Sequence, residues 1–215
     1  MKIEQFVTSG KFRLDGGEWD VDNNVYIVSG GQELYIVDPA HDAERIYDEV
    51  GERSVTGVLL THAHNDHCEL APEIAEHYGV QLYLHPDDEQ LWRETHAEAN
   101  YSALEDNQIF KIGGEDLVVF HTPGHSPGCV TPGHSPGCVV LYDAADNTLL
   151  SGDTLFNGGP GATGRKYSDF DVIIESLRNR VLNLPPETRV LPGHGDETTV
   201  GAEAARIDEY VARGY

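Results

Sequence analysis

The sequence THAHNDH at residues 61–67 constrains this chain more than any other segment. Within six positions it holds four potential metal ligands: His62, His64, Asp66 and His67. It follows the short apolar, β-branched segment 56–62, which predicts a buried strand running into a polar loop. Polar groups clustered in this way have no packing benefit and must be hydrated or bound to a cation. Imidazole and carboxylate ligands suit Zn, Fe or Mn, so the motif predicts a metal site.

Further potential ligands occur where other predicted strands end. Asp153 lies in the GD pair at 152–153, and His194 ends the PGH triplet at 192–194. A third triplet is present twice, because TPGHSPGCV at 122–130 is repeated without change at 131–139 and places His125 in one copy and His134 in the other. Glycine and proline beside each residue let the backbone approach closely. Sequence spacing does not decide which copy supplies the ligand, and the other copy is expected to form a surface loop.

Strand-like and helix-like segments alternate along the chain. The strands are predicted at 24–29, 33–38, 56–62, 80–85, 108–112, 116–122, 138–143, 148–154 and 188–195, and the helices at 43–50, 70–78, 86–97, 170–182 and 199–212. Early strands form hairpins and later ones are separated by helices, which favours sheets covered by helices in an α/β or α+β fold. Because the chain contains no Pro/Ser-rich linker, we predict a single domain over residues 1–215.

Composition excludes several functional classes. The chain has 14 Lys plus Arg against 37 Asp plus Glu, a formal charge of −23, which argues against binding to nucleic acid or to an anionic membrane surface. No apolar run approaches the roughly 20 residues of a membrane-spanning helix. The first residues lack the apolar core of a signal peptide, and the three cysteines are too few for a disulfide scaffold, so a cytoplasmic location is expected. Cys68 is predicted to be buried rather than to bind metal.

Taken in order, the segments THAHNDH, TPGHSPG, SGDTLF at 151–156 and LPGHGDE at 191–197 resemble the metallo-β-lactamase superfamily. Within it they are most similar to the glyoxalase II (hydroxyacylglutathione hydrolase) group. The resemblance covers residues 24–200. It implies an αββα sandwich, the metallo-β-lactamase fold, with the metal site at one edge of two facing sheets.

The resemblance also implies a role for each candidate ligand. Two divalent cations, Zn with Fe or Mn as alternatives, would share a water molecule and activate it as hydroxide. The first would be held by His62, His64 and one of His125 and His134, the second by Asp66, His67 and His194, and Asp153 would bridge them. Asp66 would also orient the hydroxide or transfer a proton, and Asp38 in VDPA would support the site from behind.

The function implied is hydrolysis of a small-molecule acyl-thiol, because a thiolate leaving group needs little protonation. Basic and tyrosyl residues in the region of Arg165, Lys166 and Tyr167 bind the thiol carrier in glyoxalase II enzymes, so these three are candidate substrate contacts. The long helical C-terminal domain of larger family members has no counterpart here, which favours a carrier other than glutathione, such as mycothiol.

Three other interpretations remain open at this stage. A persulfide dioxygenase would use the same run but a single Fe(II), held by His62, Asp153 and one of His125 and His134. A lactone hydrolase would use the same pair of metals. A binding module without activity would normally have lost ligands. The isolated histidines are expected to be ordinary surface or core residues: His41, His77, His85, His96 and His121.

Overall fold

Two sheets face each other in this chain, and helices cover the outer face of each. The computed structural model describes residues 1–14, 16–125, 137–164 and 168–214. The first sheet contains β1 (Lys2–Leu14), β2 (Gly17–Gly30), β3 (Glu33–Val37), β4 (Gly57–Leu59), β5 (Gln81–Leu84) and β6 (Ser102–Ala103), in that spatial order. Strands β1 to β3 are antiparallel, and β3 to β6 run parallel. Its helices are α1 (Ala43–Val50), α2 (Asn65–Cys68), α3 (Ala71–Tyr78), a 3₁₀ turn (Pro86–Asp88) and α4 (Glu89–Thr95).

The second half of the chain builds the facing sheet. The strands of this half are β7 (Ile109–Ile112), β8 (Glu115–His121), β9 (Val139–Asp143), β10 (Thr148–Gly152), β11 (Leu155–Phe156), β12 (Gly159–Pro160), β13 (Arg189–Pro192) and β14 (Thr198–Thr199). The sheet order is β14-β13-β10-β9-β8-β7, and β11 and β12 form a separate short hairpin. Its helices are α5 (Phe170–Ser176), which continues as a π-helical turn (Leu177–Val181), α6 (Val200–Ala204) and α7 (Ile207–Arg213).

Side chains that point alternately to the two faces of the central strands form three apolar clusters, one between the sheets and one beneath the helices on each side. In β9, Val139 and Leu141 point between the sheets, whereas Val140 and Tyr142 point toward α5. The same alternation holds in β2, where Val25 packs beneath the helices of the first half. A strand buried on both faces reads as a continuous apolar run, which is why these segments are so hydrophobic. The layers are therefore helix, sheet, sheet and helix.

The predicted fold class is confirmed, and the differences are local. The sequence predicted only 24–29 of β2 and missed β1, although the two strands pair along their whole length as a long hairpin. The predicted helix 86–97 is a 3₁₀ turn followed by α4, and the predicted helix 199–212 is divided between α6 and α7. None of the helices in the described ranges is both long and apolar enough to cross a membrane. The single domain over 1–215 stays a prediction.

Candidate metal centre

The seven candidate ligands with described positions lie in the segments that follow four strands, and Asp66 and His67 are in α2. His62, His64, Asp66 and His67 follow β4, His125 follows β8, Asp153 follows β10, and His194 follows β13. Strands β8, β10 and β13 run in the same direction, because β9 is antiparallel to both β8 and β10 and β13 is parallel to β10. Their carboxyl ends therefore meet at one edge of the second sheet, where ligands of open sheets commonly bind.

These side chains converge in three overlapping groups. Within each group the ligand atoms lie within 4.8 Å of one another: His62, His64 and His125; His62, His67 and Asp153; and Asp66, His67 and His194. Asp153 lies between the groups, with Oδ1 3.3 Å from His67 Nε2 and Oδ2 3.3 Å from His125 Nε2. His194 Nε2 is 3.2 Å from Asp66 Oδ2 and 3.5 Å from Asp153 Oδ2. The arrangement offers two adjacent cation sites with a carboxylate between them.

Hydrogen bonds fix which ring nitrogen of each histidine faces the centre. Three Nδ1 atoms lie next to groups that only accept hydrogen bonds: His67 beside Asp38 Oδ2 at 3.0 Å, His125 beside the Ala162 carbonyl at 3.0 Å and His194 beside the Asp22 carbonyl at 2.7 Å. Each Nδ1–H must therefore donate, which leaves the Nε2 lone pair facing the site. This is the way metal-binding histidines are usually oriented.

The first two histidines approach each other directly. His62 Nε2 lies 2.9 Å from His64 Nδ1, and both rings are fully or almost fully buried. The other nitrogen of His62 is 3.1 Å from the Thr61 hydroxyl, which itself donates to Asp38 Oδ2 at 2.6 Å. His62 Nδ1–H therefore donates to Thr61, so its Nε2 lone pair points at the same space as His64 Nδ1.

Asp38 supports the centre from behind. Its carboxylate is buried and accepts hydrogen bonds from the Thr61 amide at 2.7 Å, the Thr61 hydroxyl at 2.6 Å and His67 Nδ1. The residue has a φ of 52°, a left-handed conformation that Asp and Asn tolerate better than other non-glycine residues. One carboxylate thus connects the end of β3 to Thr61 in the loop after β4 and to His67 in α2.

Burial and neighbouring charges shift the protonation of this cluster. Burial lowers the pKa of His64 to about 3, and His125 nearby adds to the effect, so the ring is neutral and able to bind a cation. Burial would raise the pKa of Asp66, but the positive field of His67 and the hydrogen bond to His194 outweigh it and lower it to about 2. Burial would likewise lower the pKa of His194, but Asp153 and Asp66 raise it to about 10. When no cation is bound, His194 is therefore protonated near neutral pH.

Several buried polar atoms fit a divalent cation. Asp66 Oδ1, His125 Nε2 and Asp153 Oδ1 are buried and make no hydrogen bond within the described part of the chain. Such atoms are costly to bury unless a cation or water satisfies them. Gly193 allows the close approach, since a Cβ there would lie 2.4 Å from both Asp153 Oδ1 and the His67 ring. The donor set and its geometry therefore fit two divalent metal ions.

A cavity of about 430 Å³ opens onto the centre. The β1–β2 hairpin contributes Phe12, Leu14 and Val21 to its lining, and Phe156 and Ala162 also line it. Phe12 meets the His64 ring edge-on, with the ring centroids 5.3 Å apart. The described lining carries no Lys or Arg side chain, so the space beside the metal ligands is mainly apolar.

The structure brings together every described candidate ligand and places Asp38 behind them. His125 joins the site; His134 lies outside the described residues, as do Arg165, Lys166 and Tyr167. Cys68 is buried next to the cluster, and its sulfur contacts the Ala63 carbonyl.

Sequence reasoning missed three side chains around this centre. Asn23 contacts Asp66 and His194, and His41, which was expected to be an ordinary isolated histidine, contacts Asn23. Asp88 is buried and accepts hydrogen bonds from the Ala63 and Gly137 amides at 2.8 Å each, which connects the first ligand loop to the start of β9. The position of His41 just after VDPA was the one available signal, because it follows a strand end.

Comparison with known proteins decides the family. The family model described as the metallo-beta-lactamase superfamily matches residues 19–194, most of the chain. The chain belongs to the metallo-β-lactamase superfamily. Three of its relatives are informative about how this superfamily member is built.

The probable metallo-hydrolase YqgX of Bacillus subtilis is 31% identical over 196 residues, which cover 84% of this chain and 88% of that one. The hydroxyacylglutathione hydrolase GloC of Haemophilus influenzae is 28% identical over 184 residues, 78% of this chain and 82% of its own. A crystal structure of TTHA1623 in a di-iron-bound form superposes with a TM-score of 0.75 at 32% identity, covering 86% of this chain and 93% of the other. This chain is thus a superfamily member with a metallohydrolase fold.

Proposed function

We propose that this metallohydrolase cleaves thioesters of a low-molecular-weight thiol by using two divalent cations at the centre described above. The observation that carries the proposal is the presence of two complete three-residue ligand groups with Asp153 between them. Similarity to a hydroxyacylglutathione hydrolase and to a di-iron-bound protein supports it.

In this proposal His62, His64 and His125 hold one cation, Asp66, His67 and His194 hold the other, and Asp153 bridges them. When bound, the pair lowers the pKa of a water molecule to near neutrality and polarises a substrate carbonyl group. Zinc is the first candidate, with iron and manganese as alternatives, since histidine and carboxylate ligands suit all three.

In the proposed reaction, Asp66 accepts a proton and the apolar cavity binds the acyl group of the substrate. Asp66 Oδ2 is held in place by Asn23 and His194, whereas Oδ1 has no hydrogen bond within the described residues and is positioned to accept a proton from water. The apolar side chains of Phe12, Leu14 and Val21 in the cavity lining suit the acyl group of the substrate. Arg165, Lys166 and Tyr167, which follow Ala162 by a few positions, remain candidates for contacts to the thiol carrier.

A direct test begins with metal counting on the purified protein. Hydrolysis is then measured with S-acetyl and S-lactoyl thioesters of glutathione, mycothiol and coenzyme A, with the Asp66→Ala variant alongside. About two ions per chain and thioester turnover that Asp66→Ala abolishes are expected. The formal charge of −23 gives no reason to expect nucleic acid or a membrane as a partner.

The alternative of a persulfide dioxygenase has some support from geometry, because His62, His125 and Asp153 also face one another. Those three residues alone would hold one iron ion. Oxygen uptake with a thiol persulfide, one iron per chain and no thioester turnover would favour it over hydrolysis. Turnover of lactones but not thioesters would favour lactone hydrolysis on the same residues.

A further inference from the structure

Asn23 is a buried side chain that contacts two of the candidate ligands of the second cation. It lies in β2, is 1% exposed, and its Nδ2 is 3.3 Å from Asp66 Oδ2 and 3.4 Å from His194 Nε2. A carboxylate can only accept, so the amide nitrogen of Asn23 donates to Asp66. The amide group is thus fixed against the two residues that belong only to the second ligand group.

His41 determines which way this amide points. Its Nε2 lies 3.0 Å from Asn23 Oδ1, and its side chain is 2% exposed. Because Asn23 Oδ1 can only accept, His41 must donate from Nε2, and the amide cannot rotate without losing both hydrogen bonds. The opposite nitrogen, Nδ1, lies 3.4 Å from Glu69 Oε2 at the end of α2.

Gly10 makes room for the His41 ring. A Cβ at this position of β1 would lie 2.1 Å from His41 Nδ1, so the ring would have to shift. The same hairpin is also hydrogen-bonded to α2, because the Arg13 amide donates to Asn65 Oδ1 and Asn65 Nδ2 donates to the Lys11 carbonyl, each at 2.7 Å. The hairpin therefore contacts α2, the helix that carries Asp66 and His67, through both its backbone and Asn23.

We propose that Asn23, oriented by His41, is a positioning residue that holds Asp66 and His194 in place for the second cation. Neither residue touches the first ligand group of His62, His64 and His125 in any contact described above. Loss of the Asn23 amide should therefore weaken one cation site selectively. This inference rests on the two-cation arrangement of the proposed function but not on the identity of the substrate.

The test is zinc titration of the full chain against a chromophoric chelator, which resolves one binding step for each ion. The step that the Asp66→Ala variant loses is assigned to the second cation and is called the second step, and the other is called the first step. For Asn23→Leu, which keeps the volume and removes the amide, we expect the second step to weaken by about 10- to 100-fold, the usual effect of removing a residue that orients a ligand. The first step should stay within about threefold. We expect kcat to fall with KM little changed, because the acyl cavity is not altered.

Two further variants keep the test independent of any folding defect in Asn23→Leu. His41→Ala should weaken the second step in the same way, and His41→Gln, whose amide can reach Asn23, should restore much of it. Gly10→Ala should behave like His41→Ala although Gly10 contacts no candidate ligand. Lys11→Ala is the matched hairpin control, since the Lys11 side chain is exposed and only its backbone contacts Asn65.

The outcomes are separable from those of the proposed function. Two zinc ions without thioester turnover would refute the proposed reaction and leave the positioning role of Asn23 intact. Equal weakening of both binding steps in the variants, no change in either step, or a wild-type chain that binds a single ion would overturn the inference.

Discussion

Asp38 provides the sharpest prediction about the centre, because one substitution removes its charge and little else. Asp38→Asn preserves the shape of the side chain, and Asn tolerates the left-handed backbone of this residue as Asp does. In the wild type, Oδ2 receives two donors, the Thr61 hydroxyl and His67 Nδ1–H, and Oδ1 receives the Thr61 amide. An Asn amide has only one accepting oxygen, so in either orientation its NH₂ group meets a donor.

The magnitude follows from this mismatch. If the NH₂ group replaces Oδ2, the Thr61 hydroxyl can rotate to accept, but His67 must release the proton on Nδ1 and carry it on Nε2, the nitrogen that faces the site. A hydrogen bond to a charged group contributes about 1.5–3 kcal/mol. Loss of the bond that orients His67 should therefore weaken binding of the second zinc ion by about 10- to 100-fold, equivalent to about 1.4–2.8 kcal/mol.

The assay is zinc competition with a chelator, together with circular dichroism to verify folding. Asp143→Asn is the matched control, because Asp143 is also a buried carboxylate that accepts backbone hydrogen bonds, from Ala145 and Asp146, but is the last residue of β9 and pairs with Thr148 at the start of β10. We expect this control to bind both ions as the wild type does. Unchanged zinc affinity in a folded Asp38→Asn protein would refute the reasoning that Asp38 sets the protonation of His67.

Three further outcomes are expected. Gly193→Ala should reduce zinc binding at least tenfold, measured by the same titration, because its Cβ would collide with Asp153. His125→Ala should remove one of the two ions counted by metal analysis, and retention of both would show that another residue supplies the ligand. In chelator-treated protein, the raised pKa of His194 contributes stability that is fully present below pH 6.5, the ordinary pKa of histidine, and is lost as pH rises through about 10. Urea denaturation should therefore give a lower unfolding free energy at pH 10 than at pH 7. The lowered pKa of Asp66 acts in the opposite sense at acid pH, where its contribution is present above 3.8 and lost as pH falls through about 2.

The sequence predicted the central strands and the ligands for one physical reason. Buried strands such as β4 and β9 must be apolar on both faces, and each ligand lies in the segment that follows a strand, with glycine beside His125, Asp153 and His194. Local composition therefore carries both signals. The choice between His125 and His134 could not be made in this way, because two identical segments have identical local signals.

The β1–β2 hairpin was harder to predict because its pattern depends on pairing rather than on local composition. Much of β1 is exposed or partly exposed, so it lacks the apolar run that marks a buried strand, and its register is set by β2. The role of Asn23 depends on contacts with Asp66 and His194, which are 43 and 171 positions away. Contacts of this kind follow from the folded topology and leave no trace in a single sequence.

The division of the ligands between the two sheets has a consequence for assembly. His62, His64, Asp66 and His67 belong to the first half of the chain, and His125, Asp153 and His194 belong to the second. Neither half alone supplies all the ligands of either cation site, so tight metal binding requires that the two halves have first packed together. The ions would then act as a clasp across the open rim of the sandwich, and chelation should make that rim the first region to exchange its amide hydrogens.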